Sequence, residues 1–265
     1  MTGDLVDIIT SKDNSKVKYW ASLLDSKTSR REGVVFIEGK RSCEDALQGG
    51  VVPSMVIADE AHQDWAKSVS SDHTGCECLI LGEACFKKIS QTVHPQGMAL
   101  VAKRPESTGE ISLRGDGKDI FMCLEDIQDP GNLGTMIRIA DAFDFTGILI
   151  TKNTVDPFND KVVRSSMGSI WRVNVLSFED SDEMINALHD KGVKIIAAEL
   201  HGDDLSKAKI DLPVAYFIGN EGAGLKKCTI DQCDIKVKIQ MQGKAESLNA
   251  ASAASVIGYI LQEIR

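Results

Sequence analysis

Three stretches hold the residues whose types and spacing could do chemistry. The first runs Gln128-Asp-Pro-Gly-Asn132-Leu-Gly134-Thr-Met-Ile-Arg138. It follows a short apolar run from Asp119 that suits a buried strand. Pro130 and Gly131 mark a turn, since proline fixes φ and glycine tolerates positive φ. Asn132 then reads as the N-cap of a helix carrying Met136, Ile137, Ala140 and Phe143 at helical spacing. Gly147 to Ile150 returns as a strand, so the unit is strand–turn–helix–strand and implies a parallel pair. Arg138 is placed one turn into that helix, where a fixed cation faces the carboxyl-end crevice in which open α/β sheets bind ligands. The plainer reading of Arg138 is a solvated helix arginine.

The second stretch is Pro213-Val-Ala-Tyr-Phe-Ile-Gly-Asn-Glu-Gly-Ala-Gly-Leu225, a strand running into a glycine turn. Gly219, Gly222 and Gly224 let backbone N–H groups approach a ligand closely. Their order, G-x-x-G-x-G, is not the dinucleotide fingerprint. Glu221 inside the turn would repel a pyrophosphate. A ligand without phosphates, bearing hydroxyl or ammonium groups, fits better, and S-adenosylmethionine is one. The third stretch begins at Ser247, read as the N-cap of the last helix. Its Ala/Ser run allows close packing, and Ile257, Ile260, Leu261 and Ile264 form an apolar stripe.

The elements that must carry these stretches alternate throughout. Val17, Trp20, Ala21 and Leu24 mark a first helix, and Lys27, Arg30 and Arg31 follow as a basic cluster, either a solvated turn or a phosphate contact. Residues 33–103 read as four strands with intervening helices. The polar, glycine-containing stretch Lys103 to Lys118 reads as a linker, which gives a domain over 1–105, a linker over 106–118 and a second domain over 119–265. Lys161 ends a turn-rich loop from Asp156, and Arg164 falls in the short helix with small residues that follows, Val162 to Trp171, suited to close approach of an RNA backbone or a second subunit. A helix over Asp180 to Lys191 turns its acids to water, and strands follow at Lys194 to Glu199 and Ile235 to Met241.

The chain has 265 residues, 43% of them apolar, and a net charge of −9. The charge is segregated. Residues 1–42 carry eight Lys/Arg against six Asp/Glu, and 179–190 carry five acids with no Lys or Arg. This permits local basic faces and argues against tight, salt-tolerant, non-specific RNA binding. Seven cysteines without a C-x-x-C pair read as free thiols of a cytoplasmic protein, with no metal site. No apolar run is long enough to span a membrane, and Met1 to Lys12 does not read as a secretory leader.

The spacing Asn132-x-Gly134-x-x-x-Arg138-x-Ala140 resembles the first motif of the SpoU family, the RNA ribose methyltransferases of the SPOUT superfamily. Gly219-x-Glu221-x-x-Gly224-Leu225 resembles the second motif. Ile239 to Ala250 resembles the third, departing at Gln240, where proline is usual, and at Ala250, where valine is usual. The N-terminal half is similar to the substrate-binding module of rRNA-directed members, through Asn14 to Lys18, Arg30-Arg31, Phe36 to Gly39 and Gln96-Gly97. The resemblance implies an α/β fold: a C-terminal parallel-sheet domain with a deep trefoil knot, and a small N-terminal α/β substrate-binding domain. It implies S-adenosylmethionine as cofactor, held at Ile218, Gly219, Asn220, Gly222, Ile239, Met241 and Leu248. Arg138 would orient the ribose hydroxyl and stabilise the alkoxide, supported by Asn132, Glu221, Ser247 and Asn249. RNA, ribosomal by preference, would meet Lys27, Arg30, Arg31, Lys161 and Arg164, and the protein would be a homodimer through its catalytic domain. The alternatives are a tRNA 2′-O-methyltransferase or a non-catalytic, knotted RNA-binding protein. A dinucleotide oxidoreductase lacks its motif here.

Overall fold

Val/Ile-rich runs bounded by glycine, proline or asparagine become strands, and the amphipathic segments between them become covering helices. The computed structural model describes residues 8–107 and 110–265. Residues 1–7, the first part of the stretch read for a leader, and Gly109 of the linker lie outside the described residues. The contacts sort the chain into two units: one takes the chain up to Pro105 together with Phe158–Trp171, the other takes Glu106–Pro157 and Arg172–Arg265.

The first unit opens with β1 (Ile8–Ile9), α1 (Ser15–Ser22) and α2 (Ser26–Glu32), followed by β2 (Val34–Glu38), α3 (Lys40–Gln48) and β3 (Pro53–Asp59). Then come α4 (Gln63–Asp72), β4 (Glu77–Leu81), α5 (Glu83–Phe86) and β5 (Met98–Lys103). The sheet order is β1-β4-β3-β5-β2, with β5 antiparallel to both neighbours. Lys27, Arg30 and Arg31 are not in a turn, as one sequence reading had it. They sit on α2, which Asp25 caps through the Thr28 N–H and which ends at Gly33 with φ 66°. Glu38 is buried at the end of β2, where its carboxylate accepts from Ser90 Oγ, Gln91 N (2.9 Å) and Thr92 Oγ1 (2.8 Å).

The second unit begins with β6 (Ile120–Leu124), α6 (Pro130–Ala142) and β7 (Gly147–Thr151). The chain then supplies α7 (Asp160–Ser166), which belongs to the first unit although the sequence placed it in the catalytic half. The reason is packing. Val163 joins the core of Val35, Ile37, Cys43 and Ala46, with Phe158 and Trp171 against it. Gly49 lies so close to Trp171 that a Cβ would come within 2.6 Å of its side chain.

The second unit resumes with β8 (Val175–Phe178), α8 (Ser181–Asp190), β9 (Lys194–Asp204), β10 (Val214–Ile218), α9 (Lys227–Gln232), β11 (Ile235–Lys238) and α10 (Ala250–Glu263). Its sheet is wholly parallel, ordered β11-β9-β10-β6-β7-β8. Phe121, Phe217, Leu149 and Ile195 are among its fully covered core residues, each contributing about 1.5–3 kcal/mol of transfer free energy. The chain winds outward from β6 to β8, then crosses to build β9, β10 and β11 on the other side. The order therefore reverses between β6 and β10, and the crevice outside their carboxyl ends is where such sheets bind ligands. Among the described residues no helix is long and apolar enough to cross a membrane.

Candidate active site

The loop after β10 owes its shape to two glycines and an asparagine. A Cβ on Gly219 would lie 2.2 Å from the backbone of Gly224 and Leu225, and Gly224 has φ 70°. Asn220 closes the turn. Its Oδ1 accepts from the N–H groups of Gly222 and Ala223 (both 3.0 Å), and its Nδ2 donates to the Asp126 carbonyl (2.9 Å). The Asn220 side chain is thus spent on the loop and leaves its backbone to line the space beside it.

Glu221, at the tip of this loop, is held by the start of α6. The N–H groups of Gln128 and Asp129 donate to its two oxygens (3.1 and 3.0 Å), and Asn132 Nδ2 donates to Oε1 (3.0 Å). Burial raises this carboxyl, but the hydrogen bonds from Asn132 and from the Asp129 and Gln128 amides win and hold it below the usual carboxylate range. Asn132 in turn accepts at Oδ1 from Asn249 Nδ2 (3.0 Å). A carboxamide relay therefore joins all three stretches, across 89 and 117 residues of sequence.

Two caps differ from the sequence reading. Asp129, not Asn132, caps α6, with Oδ1 accepting from the Asn132 N–H (2.8 Å). Pro130 takes the first helical position, where its missing N–H costs nothing. Asn249, not Ser247, caps α10 by accepting from the Ala251 and Ser252 N–H groups. Both displaced residues are thereby freed for the site.

Beside the loop lies a cavity of about 620 Å³. Ile218, Gly219, Asn220, Glu221 and Gly222 line one wall, and Ile239, Met241, Ser247 and Leu248 another. Gln240 and Ala250, the two departures from the third motif, also line it. The sequence reading missed a third wall, Ala198 to His201. These residues bulge from β9, whose register with β11 jumps from Ala197 to Asp203, and Gly202 lets the β11 backbone pass where a Cβ would come within 2.6 Å of it. Gly202 is the one sequence signal for this bulge. The cavity falls within the range of small-ligand sites, about 300–1,000 Å³. Its charged lining is Glu199, Glu221, Glu246 and Lys238, so it is poorly suited to phosphate.

Arg138 lies elsewhere than expected. Because α6 starts at Pro130, it sits two turns in, about 12 Å along the axis. It is exposed, does not line the cavity, and has no hydrogen-bond or ion-pair partner among the described residues. It shares an exposed stripe with Thr135 and Ala142 on α6. The helix α10 packs on α6 and exposes Ser252, Val256 and Tyr259, with the Tyr259 ring 6.2 Å from Phe143. Ile257 and Leu261 of the expected stripe are buried, while Ile264 is exposed.

The basic residues fall together in the first unit. Lys27, Arg30 and Arg31 are exposed on α2, and Lys161 and Arg164 are exposed on α7. The two helix starts touch through Asn159 Nδ2 and Ser26 Oγ (3.4 Å). Arg31 pairs with Glu32, and Arg164 pairs with the buried Asp160.

The profile of the SpoU rRNA methylase family matches residues 119–259, and that of an MRM3-like substrate binding domain matches residues 14–100. This chain belongs to the SpoU family. It is 32% identical over 257 residues to the 23S rRNA (guanosine(2553)-2′-O)-methyltransferase RlmP of Bacillus subtilis, covering 96% of this chain and 98% of that one. Two solved structures are similar over nearly the full length. An AdoMet-bound rRNA methyltransferase from Sinorhizobium meliloti has a TM-score of 0.87 at 26% identity, covering 98% of each chain. The SpoU methyltransferase AviRb from Streptomyces viridochromogenes, in complex with the cofactor AdoMet, has a TM-score of 0.85 at 25% identity, covering 95% of this chain and 98% of that one.

Proposed function

We propose that this protein transfers a methyl group from S-adenosylmethionine to a ribose 2′-hydroxyl of RNA, with ribosomal RNA as the substrate. The observation that carries the reading is the Asn249–Asn132–Glu221 relay at the edge of a cavity suited to a phosphate-free ligand. When bound, S-adenosylmethionine supplies an electrophilic methyl group on a sulfonium. The backbone at Ile218, Gly219, Ile239, Met241 and Leu248 would hold it, with Gly222 closing the loop and the ionised Glu221 favouring a cationic ligand. Ser247, freed from capping, lines the same space.

The nucleophile is a weak one, and its developing negative charge needs a cation. Guanidinium stays protonated in proteins, so Arg138 orients the hydroxyl and stabilises the alkoxide rather than acting as a base. Arg138 is outside its own cavity and without a partner among the described residues, which supports its serving the cavity of a second copy. The homodimer would form through the α6 and α10 stripes, where Val256 and Tyr259 leave apolar surface exposed. The family's trefoil knot belongs to the same proposal, with the loops at 219–225 and 239–248 as its crossings. Substrate RNA would dock on the α2 and α7 basic residues of the first unit. Seven free cysteines support a cytoplasmic location.

The test is incubation with 23S rRNA transcribed in vitro and radiolabelled S-adenosylmethionine, followed by nuclease digestion and mass analysis of the nucleosides. A 2′-O-methyl nucleoside is expected, and 2′-deoxy substitution at the mapped position should abolish it. A methylated base would overturn the assignment of the ribose. Absence of both methylation and cofactor binding would favour a knotted RNA-binding protein without catalysis.

A further inference from the structure

The loop from Gly219 to Gly224 has a second face. On it lies a separate pocket of about 360 Å³, lined by residues that include Glu125, Asp126, Gln128, Asn153 and Lys226. Asn220, Ala223 and Gly224 line both this pocket and the cofactor cavity, so the wall between them is one loop thick. Both spaces open at the point where the strand order reverses between β6 and β10.

The lining is polar, and most of its groups are already bound. Glu125 is buried and accepts from Ser181 Oγ (2.5 Å), Thr229 Oγ1 (2.6 Å) and Lys226 N (2.7 Å). Lys226 Nζ pairs with Asp126 at 2.7 Å. Burial raises the Asp126 carboxyl, but hydrogen bonds from Lys226, Thr151 and Asn153 outweigh it and keep it ionised. Two carboxylates against one ammonium leave the pocket net negative, so it repels phosphate. Gln128 is different. Its Nε2 donates to the carbonyls of Asp126 (3.0 Å) and Asn153 (2.7 Å), and its Oε1 has no partner among the described residues. Asn153 adds a second, exposed carboxamide beside it. The main-chain N–H of the same Gln128 holds Glu221 at the cofactor side (3.1 Å).

A small, uncharged group rich in hydrogen-bonding edges fits this lining, and carboxamides are among the side chains that read base edges. We propose that this pocket receives the nucleobase of the nucleotide being methylated, with Gln128 and Asn153 reading its edge. The assignment rests on the ribose-methyltransferase reading. It places the base on one face of the Asn220–Gly224 wall and the methyl donor on the other, so that the ribose lies at the rim between them. The sequence alone offered no base-reading pocket, because Gln128 and Asn153 lie on different loops and show no shared motif.

The experiment measures methylation of 23S rRNA transcribed in vitro, with the mapped target nucleotide as such and replaced by each of the other three. Wild type is compared with Gln128→Ala and Asn153→Ala. The latter retains the Asn153 carbonyl that Gln128 uses and loses the side chain's bond to Asp126, and thermal melting checks that each variant is folded. Cofactor affinity is measured alongside by calorimetry. The expected result is a fall in kcat/KM of about 10- to 100-fold on the natural target, as for a site that loses hydrogen bonds to its substrate. Discrimination among the four bases should drop about tenfold or more, with cofactor affinity within about twofold of wild type. Asn153→Gln should recover part of the loss. If wild type methylates the RNA and both variants keep its rate and base preference, the pocket does not hold the base. If wild type binds cofactor but methylates no RNA ribose, the functional reading itself fails, and the pocket assignment with it.

Discussion

Glu38 and Glu221 both lie where a strand gives way to a glycine turn, and both accept three hydrogen bonds from a distant segment. Glu38 is 2% exposed, and its donors come from one short stretch, Ser90 to Thr92. Its bonds tie the end of one strand to that stretch inside the first unit. Glu221 stands at the tip of an open loop, takes its donors from Gln128, Asp129 and Asn132, and faces a cavity of about 620 Å³. A carboxylate in a strand–glycine turn is therefore not a site in itself. It becomes one where a glycine such as Gly219 lets two backbones touch and where the donors themselves have further partners, as Asn132 does in Asn249.

The largest contrast should come from Arg138, a cation of the second unit with no hydrogen-bond or ion-pair partner among the described residues. Arg138→Ala should lower methylation by about 100-fold or more, in line with the loss of a group that stabilises developing charge. Cofactor affinity and thermal stability should stay close to wild type. Turnover within a few-fold of wild type, assayed on the same preparation used for titration, would remove Arg138 from the chemistry.

Exchanging the two carboxylates sharpens the comparison at an intermediate scale. Glu38→Ala should destabilise the protein, since each buried group left unsatisfied costs about 1–3 kcal/mol, while calorimetry should show little change in cofactor affinity. Glu221→Ala should weaken cofactor binding about tenfold or more and shift the melting temperature less than Glu38→Ala does. The reverse pattern would mean that the cavity is not where the cofactor binds.

The smallest effect concerns pH. The Glu221 carboxyl is held below its ordinary value in the folded chain. Its contribution is thus complete above the ordinary glutamate pKa, about 4.3, and is lost only as pH falls through the depressed folded value. Cofactor affinity should be level from neutral pH into the carboxylate range and decline below it, and Glu221→Gln should remove the decline. A decline starting near pH 6 would point to some other group.

Much of this arrangement was legible in the chain. The three motif stretches stand out because glycine and proline punctuate apolar strands, and the order strand–turn–helix–strand follows from that spacing. The helix α2 was not legible. Its sequence, Ser-Lys-Thr-Ser-Arg-Arg-Glu, has no apolar stripe, and it is held by the Asp25 cap and Gly33 instead. The caps of α6 and α10 were misplaced because Asn132 and Ser247 are good cap residues that lie close to better-placed ones. The bulge at Ala198 to Gly202 and the relay from Asn249 to Glu221 depend on pairings between remote strands and loops, which no local period records. The allegiance of 158–171 is of the same kind, since it is decided by Val163 meeting Val35, Ile37, Cys43 and Ala46.

That last feature has a consequence for synthesis. A chain emerging from the ribosome makes its N-terminal domains first, and they commonly fold as units while the rest is still being made. Here the first unit lacks part of its core until residue 171 has emerged, by which time β6, α6 and β7 are already outside. The core of the first unit is therefore complete only after these elements of the second have left the ribosome. The N-terminal sheet waits, with the pocket for Val163, Phe158 and Trp171 open, for a piece of the catalytic half to close it.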